Sequence, residues 1–98
     1  MPVRHIFLWS VKEGSDGDEV LRKLASLETE IPGLEGWSIG RHEGEVPNSS
    51  TGKWDYVLTC DFESFKALDD YQNHPRHTAI VEDLIETYDD WLVLDYVL

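Results

Sequence analysis

Three features of the sequence predict an α+β domain with helices packed on one face of a four-stranded antiparallel sheet. Apolar residues recur at helical spacing in one stretch of the first half and in two of the second. Other short runs are rich in β-branched and aromatic residues, as strands are. Breaks carrying Gly or Pro separate these runs and give the order β-α-β-β-α-α-β.

Val3 to Val11 is apolar, aromatic and β-branched, and reads as the first strand. Gly14 to Gly17 is a turn. Asp16 followed by Glu19 has the spacing of a capping box, and Ser15 offers a second cap. Val20, Leu21, Leu24, Leu27 and Ile31 then mark one helix, which Pro32-Gly33 stops. Gly36 to His42 is the second strand, with His42 exposed at its end. Gly44 to Lys53 holds Pro47, Asn48, Ser49, Ser50 and Gly52, and reads as a loop. Trp54 to Phe62 is the third strand, and Cys60 within it is a small core residue.

Glu63 to Asn73 is helical, with Phe65, Leu68 and Tyr71 along one side. Pro75 disfavours the helical conformation at His74 and is well placed in a first turn. A further helix therefore runs from Pro75 to about Tyr88, with Ile80, Val81, Leu84 and Ile85 inward. Trp91 to Leu98 is the last strand. With the split helix counted as one unit, the pattern is ferredoxin-like.

The strands also predict a partner. Phe7 and Trp9 point to one side of the first strand, and Ile6 and Leu8 to the other. In the last strand Trp91 and Val93 oppose Leu92, Leu94 and Tyr96. Both sheet faces therefore call for burial, and helices cover one. The simplest occupant of the other is a second copy of the chain.

Composition narrows the function classes. The 98 residues make a single domain over positions 1–98, and 41% hydrophobic content makes it globular. Twenty acids against eight bases give a formal charge of −12, which repels phosphate backbones and anionic bilayers. Nucleic acid and membrane are thus excluded as partners. No apolar stretch is long enough to span a bilayer. A single cysteine and the absence of a signal-peptide pattern fit a cytoplasmic location.

The chemistry-bearing segment is Asp70-Tyr71-Gln72-Asn73-His74-Pro75-Arg76-His77. Histidine titrates near neutral pH, and tyrosine is a polar donor on an apolar ring. In the first turn of a helix the dipole lowers the His77 pKa and leaves the neutral imidazole that a general base requires. Tyr71 can donate to a substrate oxygen. His5, on a central strand, can face His77 across a cavity. Each residue has a structural alternative: Tyr71 as a core aromatic, His74 as the cap of the helix break, His77 bonded to a carboxylate. His74-x-x-His77 supplies two metal ligands where catalytic zinc usually has three, so no metal is expected.

The sequence resembles the stress-responsive A/B barrel, or Dabb, family over nearly its whole length. The resemblance rests on Val3-Arg4-His5-Ile6-Phe7-Leu8, Ile31-Pro32-Gly33-Leu34, Phe62-Glu63-Ser64, the Tyr71-x-x-His74-Pro75-x-His77 run and Asp95-Tyr96. It implies a ferredoxin-like protomer and a homodimer whose sheets form an α/β barrel. The His/Tyr/His pattern is similar to that of olivetolic acid cyclase-like polyketide cyclases. That similarity implies positioning by His5, carbonyl polarisation by Tyr71 and general-base action by His77, with no metal or organic cofactor. Phe7, Trp9 and His74 would contact substrate. Phe7 and Trp9 share the His5 face, so a small apolar or aromatic ligand is expected rather than a long polyketide. The resulting expectation is a cofactor-free cyclase or lyase. A non-catalytic stress-response protein and a cofactor-free monooxygenase are the alternatives.

Overall fold

The computed structural model describes residues 1–43 and 54–98. The segment read as a loop, Gly44 to Lys53, lies outside the described residues. Four strands form one antiparallel sheet: β1 (Val3–Val11), β2 (Glu35–Arg41), β3 (Tyr56–Phe62) and β4 (Tyr88–Val97). Their order is β2-β3-β1-β4, so β1 is internal and β4 is an edge. Register sets which residues share a face. His5 lies opposite Cys60 of β3 and Asp95 of β4, and Phe7 opposite Leu58 and Val93. These residues face the helices. Ile6 pairs with Thr59 and Leu94, and Leu8 with Val57 and Leu92, on the outer face. The fold is the ferredoxin-like α+β fold expected from the element order.

The helices are α1 (Gly17–Ala25), α2 (Leu27–Glu30), α3 (Phe65–Gln72) and α4 (Pro75–Leu84). Asp16 caps α1 by accepting from the Glu19 amide at 3.1 Å, which resolves the choice between Asp16 and Ser15. A side chain at Gly17 would collide with the Tyr56 hydroxyl, so this close approach of helix to sheet requires glycine. The single first helix expected from the sequence is divided at Ser26. There the hydroxyl donates to the Lys23 carbonyl at 2.7 Å and competes with the backbone pattern. Gly33, at φ +86°, completes the stop after Ile31.

Ser64 caps α3 by accepting from the Ala67 amide at 3.1 Å. Leu68 and Tyr71 of that helix are buried, but Phe65 is exposed, contrary to the one-sided reading. The last helix ends at Leu84 rather than near Tyr88. A turn closed by the Thr87 amide on the Leu84 carbonyl, at 2.8 Å, brings Tyr88 into β4 opposite Val11. Ile80 and Leu84 are buried as expected, while Val81 is half-buried and Ile85 exposed, because both lie over a cavity.

The core lies between the helices and the inner sheet face. Val3, Trp9, Leu58, Cys60 and Phe62 come from the strands, and Val20, Leu24, Leu27, Leu68 and Leu84 from the helices. Trp9 is fully buried between Phe7 and Tyr56, with ring centroids at 4.9 and 5.4 Å. Its Nε1 is a buried polar atom without a partner among the described residues.

Candidate functional site

His5 reaches the helix side of the sheet from the internal strand and is 4% exposed. Its Nδ1 lies 2.6 Å from Asp95 Oδ1, on the residue directly opposite in β4. A carboxylate only accepts, so Nδ1 carries the proton and donates it to Asp95. That leaves Nε2 as the second nitrogen of a ring lining the cavity.

Tyr71 sits in the last turn of α3 and is 3% exposed. Its ring packs on Phe62 and lies between two imidazoles, with centroids 6.1 Å from His5 and 4.6 Å from His77. The Tyr71 hydroxyl has no hydrogen-bond partner among the described residues, yet it is not sealed in protein as Trp9 Nε1 is. It is a free donor. Burial raises its pKa well above the usual phenol range, so it keeps its proton at neutral pH.

His77 lies in the first turn of α4, on the far side of the helix break. Its Nδ1 is 3.0 Å from the Gln72 carbonyl, one of the acceptors freed where α3 ends. A carbonyl cannot donate, so the proton is on Nδ1 here as well, and Nε2 carries the lone pair. The His77 pKa is lowered from its ordinary value. Burial is the principal cause, His5 and His74 add to it, and the Gln72 bond opposes it. The direction matches the sequence reading, with burial as its principal cause. His77 bonds a carbonyl rather than the carboxylate of its structural alternative.

These three residues line one cavity of about 220 Å³. Its walls are Phe7, Leu24, Leu58, Val81, Ile85, Tyr88, Trp91 and Val93. Burial pushes the Tyr88 phenol up to about 12, so it too stays neutral. The remaining expected contacts divide. Phe7 lines the cavity, whereas Trp9 lies behind it in the core. His74 stands outside it and caps α4, its Nδ1 accepting from the Arg76 amide at 3.1 Å. The capping alternative therefore describes His74. Cys60 is buried and its thiol is pushed up to about 12, so it is no thiolate nucleophile. Among the described residues no group of three or more His, Cys, Asp or Glu is placed to hold a metal.

Sequence reasoning assigned no role to Asp95. Its signal was the one carboxylate within the apolar run from Trp91 to Leu98. Register supplied the rest by setting it opposite His5. A larger groove of about 470 Å³ lies between α1 and α4, lined by Arg22, Lys23, Arg76 and Asp83 among others. Its charges are largely paired already, Lys23 with Asp83 at 2.7 Å and Arg76 with Glu30, and it brings no acid–base set together.

The family model of the stress responsive A/B barrel domain matches residues 3–98. The chain belongs to that family. Among curated proteins it is similar to the stress-response A/B barrel domain-containing protein HS1 of Arabidopsis thaliana. The two are 28% identical over 98 residues, covering 97% of this chain and 88% of that protein. Among solved structures it resembles the Arabidopsis thaliana protein At3g17210 at 26% identity and a TM-score of 0.82, covering 98% and 94% of the two chains. It also resembles a hydroxynitrile lyase from Passiflora edulis, with a TM-score of 0.86 at 17% identity over 99% and 93%. A dimeric ferredoxin-like protein from Thermobifida fusca matches with a TM-score of 0.81 at 24% identity over 100% and 92%. The last two share the fold, and at such identities the fold is all they establish. No helix among the described residues is long and apolar enough to cross a membrane.

Proposed function

We propose that this protein is a cytoplasmic homodimer in which each protomer binds a small apolar or aromatic molecule between His5, Tyr71 and His77. We further propose that it is a cofactor-free enzyme acting beside a carbonyl, of cyclase or lyase type. The observation that carries the reading is the Tyr71 ring held between two imidazoles inside an apolar cavity, with each imidazole anchored through Nδ1.

In this reading His77 Nε2 removes a proton from the carbon beside a carbonyl. The C–H electrons move toward the carbonyl oxygen, where the Tyr71 hydroxyl donates a hydrogen bond to the growing charge. The carbon then attacks a second carbonyl, and the proton held by His77 goes to the new alkoxide. In reverse, His77 takes a hydroxyl proton and the carbon–carbon bond breaks. Asp95 holds the His5 ring in one tautomer, and His5 positions the substrate. Phe7 supplies a flat wall.

The cavity volume, about 220 Å³, lies below the roughly 300–1,000 Å³ typical of drug-sized ligands. That favours lyase chemistry on a small substrate over cyclisation of a long polyketide. The dimer rests on the exposed outer-face side chains Leu92, Leu94 and Tyr96, beside half-buried Ile6 and Leu8. The cytoplasmic placement rests on the single unpaired cysteine.

The test is cleavage of the aldol adduct of benzaldehyde and acetone, followed by benzaldehyde release, with melting temperature measured on the same samples. His77→Ala should lower turnover by about 10²- to 10⁴-fold. Tyr71→Phe, which keeps the ring, should lower it less. A His77→Ala protein that melts earlier but turns over fully would leave a non-catalytic stress-response role as the better reading.

A further inference from the structure

The polar groups of the cavity are few enough to specify the charge of its ligand. His5, Tyr71 and His77 present them, and the rest of the wall is apolar or aromatic, Tyr88 excepted. Among the described residues no lysine or arginine lines it. The His5–Asp95 pair carries no net positive charge in either protonation state of the imidazole. His77 is held toward its neutral form by burial. An anionic ligand would therefore leave water for a low-polarity cavity without a counter-charge, which is strongly unfavourable. It would also approach the Asp95 carboxylate behind His5, a repulsive element of the kind that sets specificity.

The hydrogen-bonding capacity narrows the ligand further. Both Nδ1 atoms are engaged, one by a carboxylate and one by a carbonyl. With neutral rings, the cavity lining offers two Nε2 acceptors, and as donors the Tyr71 and Tyr88 hydroxyls and the Trp91 indole N–H. A ligand with only acceptors satisfies Tyr71 and leaves both lone pairs unmet. A ligand with a carbonyl and a hydroxyl satisfies Tyr71 and at least one imidazole.

We propose that this site selects uncharged, small aromatic compounds bearing both a hydroxyl and a carbonyl group, and rejects carboxylates of the same shape. The inference rests on the cavity being the ligand site and names the class of ligand it takes. It does not depend on turnover.

Calorimetric titration at neutral pH with meta-hydroxybenzaldehyde and meta-hydroxybenzoate tests it. The two probes share the ring and the hydroxyl and differ in charge. The aldehyde should bind at least tenfold more tightly. Tyr71→Phe should weaken aldehyde binding several-fold, which places the probe in the cavity. Asp95→Asn removes the negative charge behind His5 at nearly constant shape, and should raise benzoate affinity several-fold and narrow the ratio. Equal or tighter binding of the benzoate, or no binding of the aldehyde at millimolar concentration, would overturn the proposal. Aldehyde binding with this selectivity but no cleavage activity would uphold it while removing the catalytic reading. Turnover of carboxylate substrates would do the reverse.

Discussion

His5, Phe7 and Trp9 on one side of β1, and Ile6 and Leu8 on the other, come from one strand yet end in different surroundings. On the inner side Trp9 is sealed in the core and His5 is bonded to Asp95. On the outer side the neighbouring strand leaves Leu94 56% exposed, with Leu92 and Tyr96 beside it. The sheet pleat sends alternate residues to opposite faces, so one strand must satisfy two environments at once. The helices cover the inner face over β1 and β3, while in β4 Tyr88 is buried and Val93 is 43% exposed. There Trp91 remains 49% exposed at the mouth of the cavity. The inner side of β1 is thus covered within one chain, and the outer side beside β4 is left to solvent.

Three tests sharpen this contrast, taken from the largest expected effect to the smallest. Leu58 faces the core and Val57, its neighbour in β3, faces outward. Leu58→Ala should cost about 2–5 kcal/mol in chemical denaturation, through lost burial and a residual cavity. Val57→Ala, measured on dilute monomer, should stay within about 0.5 kcal/mol of the parent. Similar losses at the two sites would mean that the outer face is already packed in one chain.

Leu94→Asp places a charge in the centre of the outer face. If that face joins two copies, sedimentation should show the dimer dissociation constant rising about a hundredfold or more, which is roughly 2.7 kcal/mol. The fold should survive, because Leu94 is 56% exposed and outside the core cluster. A mutant that remains dimeric at low micromolar concentration would break the assignment of the outer face.

The smallest effect is a pH slope. The His77 pKa is lower in the folded chain than in the unfolded one, so the unfolded state binds the extra proton first. The stability from neutral His77 is fully present above the ordinary histidine pKa, near 6.5. It is lost progressively as pH falls toward the depressed folded value. His77→Gln should remove that slope and leave the rest of the acid profile unchanged. An unaltered profile in the variant would show that His77 is not desolvated.

Much of this architecture was legible in the residues. Runs of β-branched and aromatic residues gave the strands, and Pro75 gave the break that separates His77 from the helix ending at Gln72, whose carbonyl it bonds. The grouping of His5 with Tyr71 and His77 was also legible, because a central first strand and a following helix layer face each other in this topology. The register was not. Nothing local to Asp95 says that it lies opposite His5, ninety residues earlier, since pairing is decided by the whole sheet. The end of α4 was missed for a related reason. Ile85 and Tyr88 continue an apolar pattern, but a turn at Thr87 and pairing with β1 take Tyr88 into the sheet. The exclusion of Trp9 and His74 from the cavity followed from packing and capping, which residue type alone does not reveal.

The central claim is that His77, lining the cavity from α4, is protonated on Nδ1 and shifted toward its neutral form. Nitrogen-detected NMR of the imidazoles across a pH titration measures this directly. The account predicts a His77 ring protonated on Nδ1, with Nε2 bare, and a titration midpoint below the ordinary value near 6.5. A ring protonated on Nε2 at neutral pH, or a midpoint above that value, would contradict it.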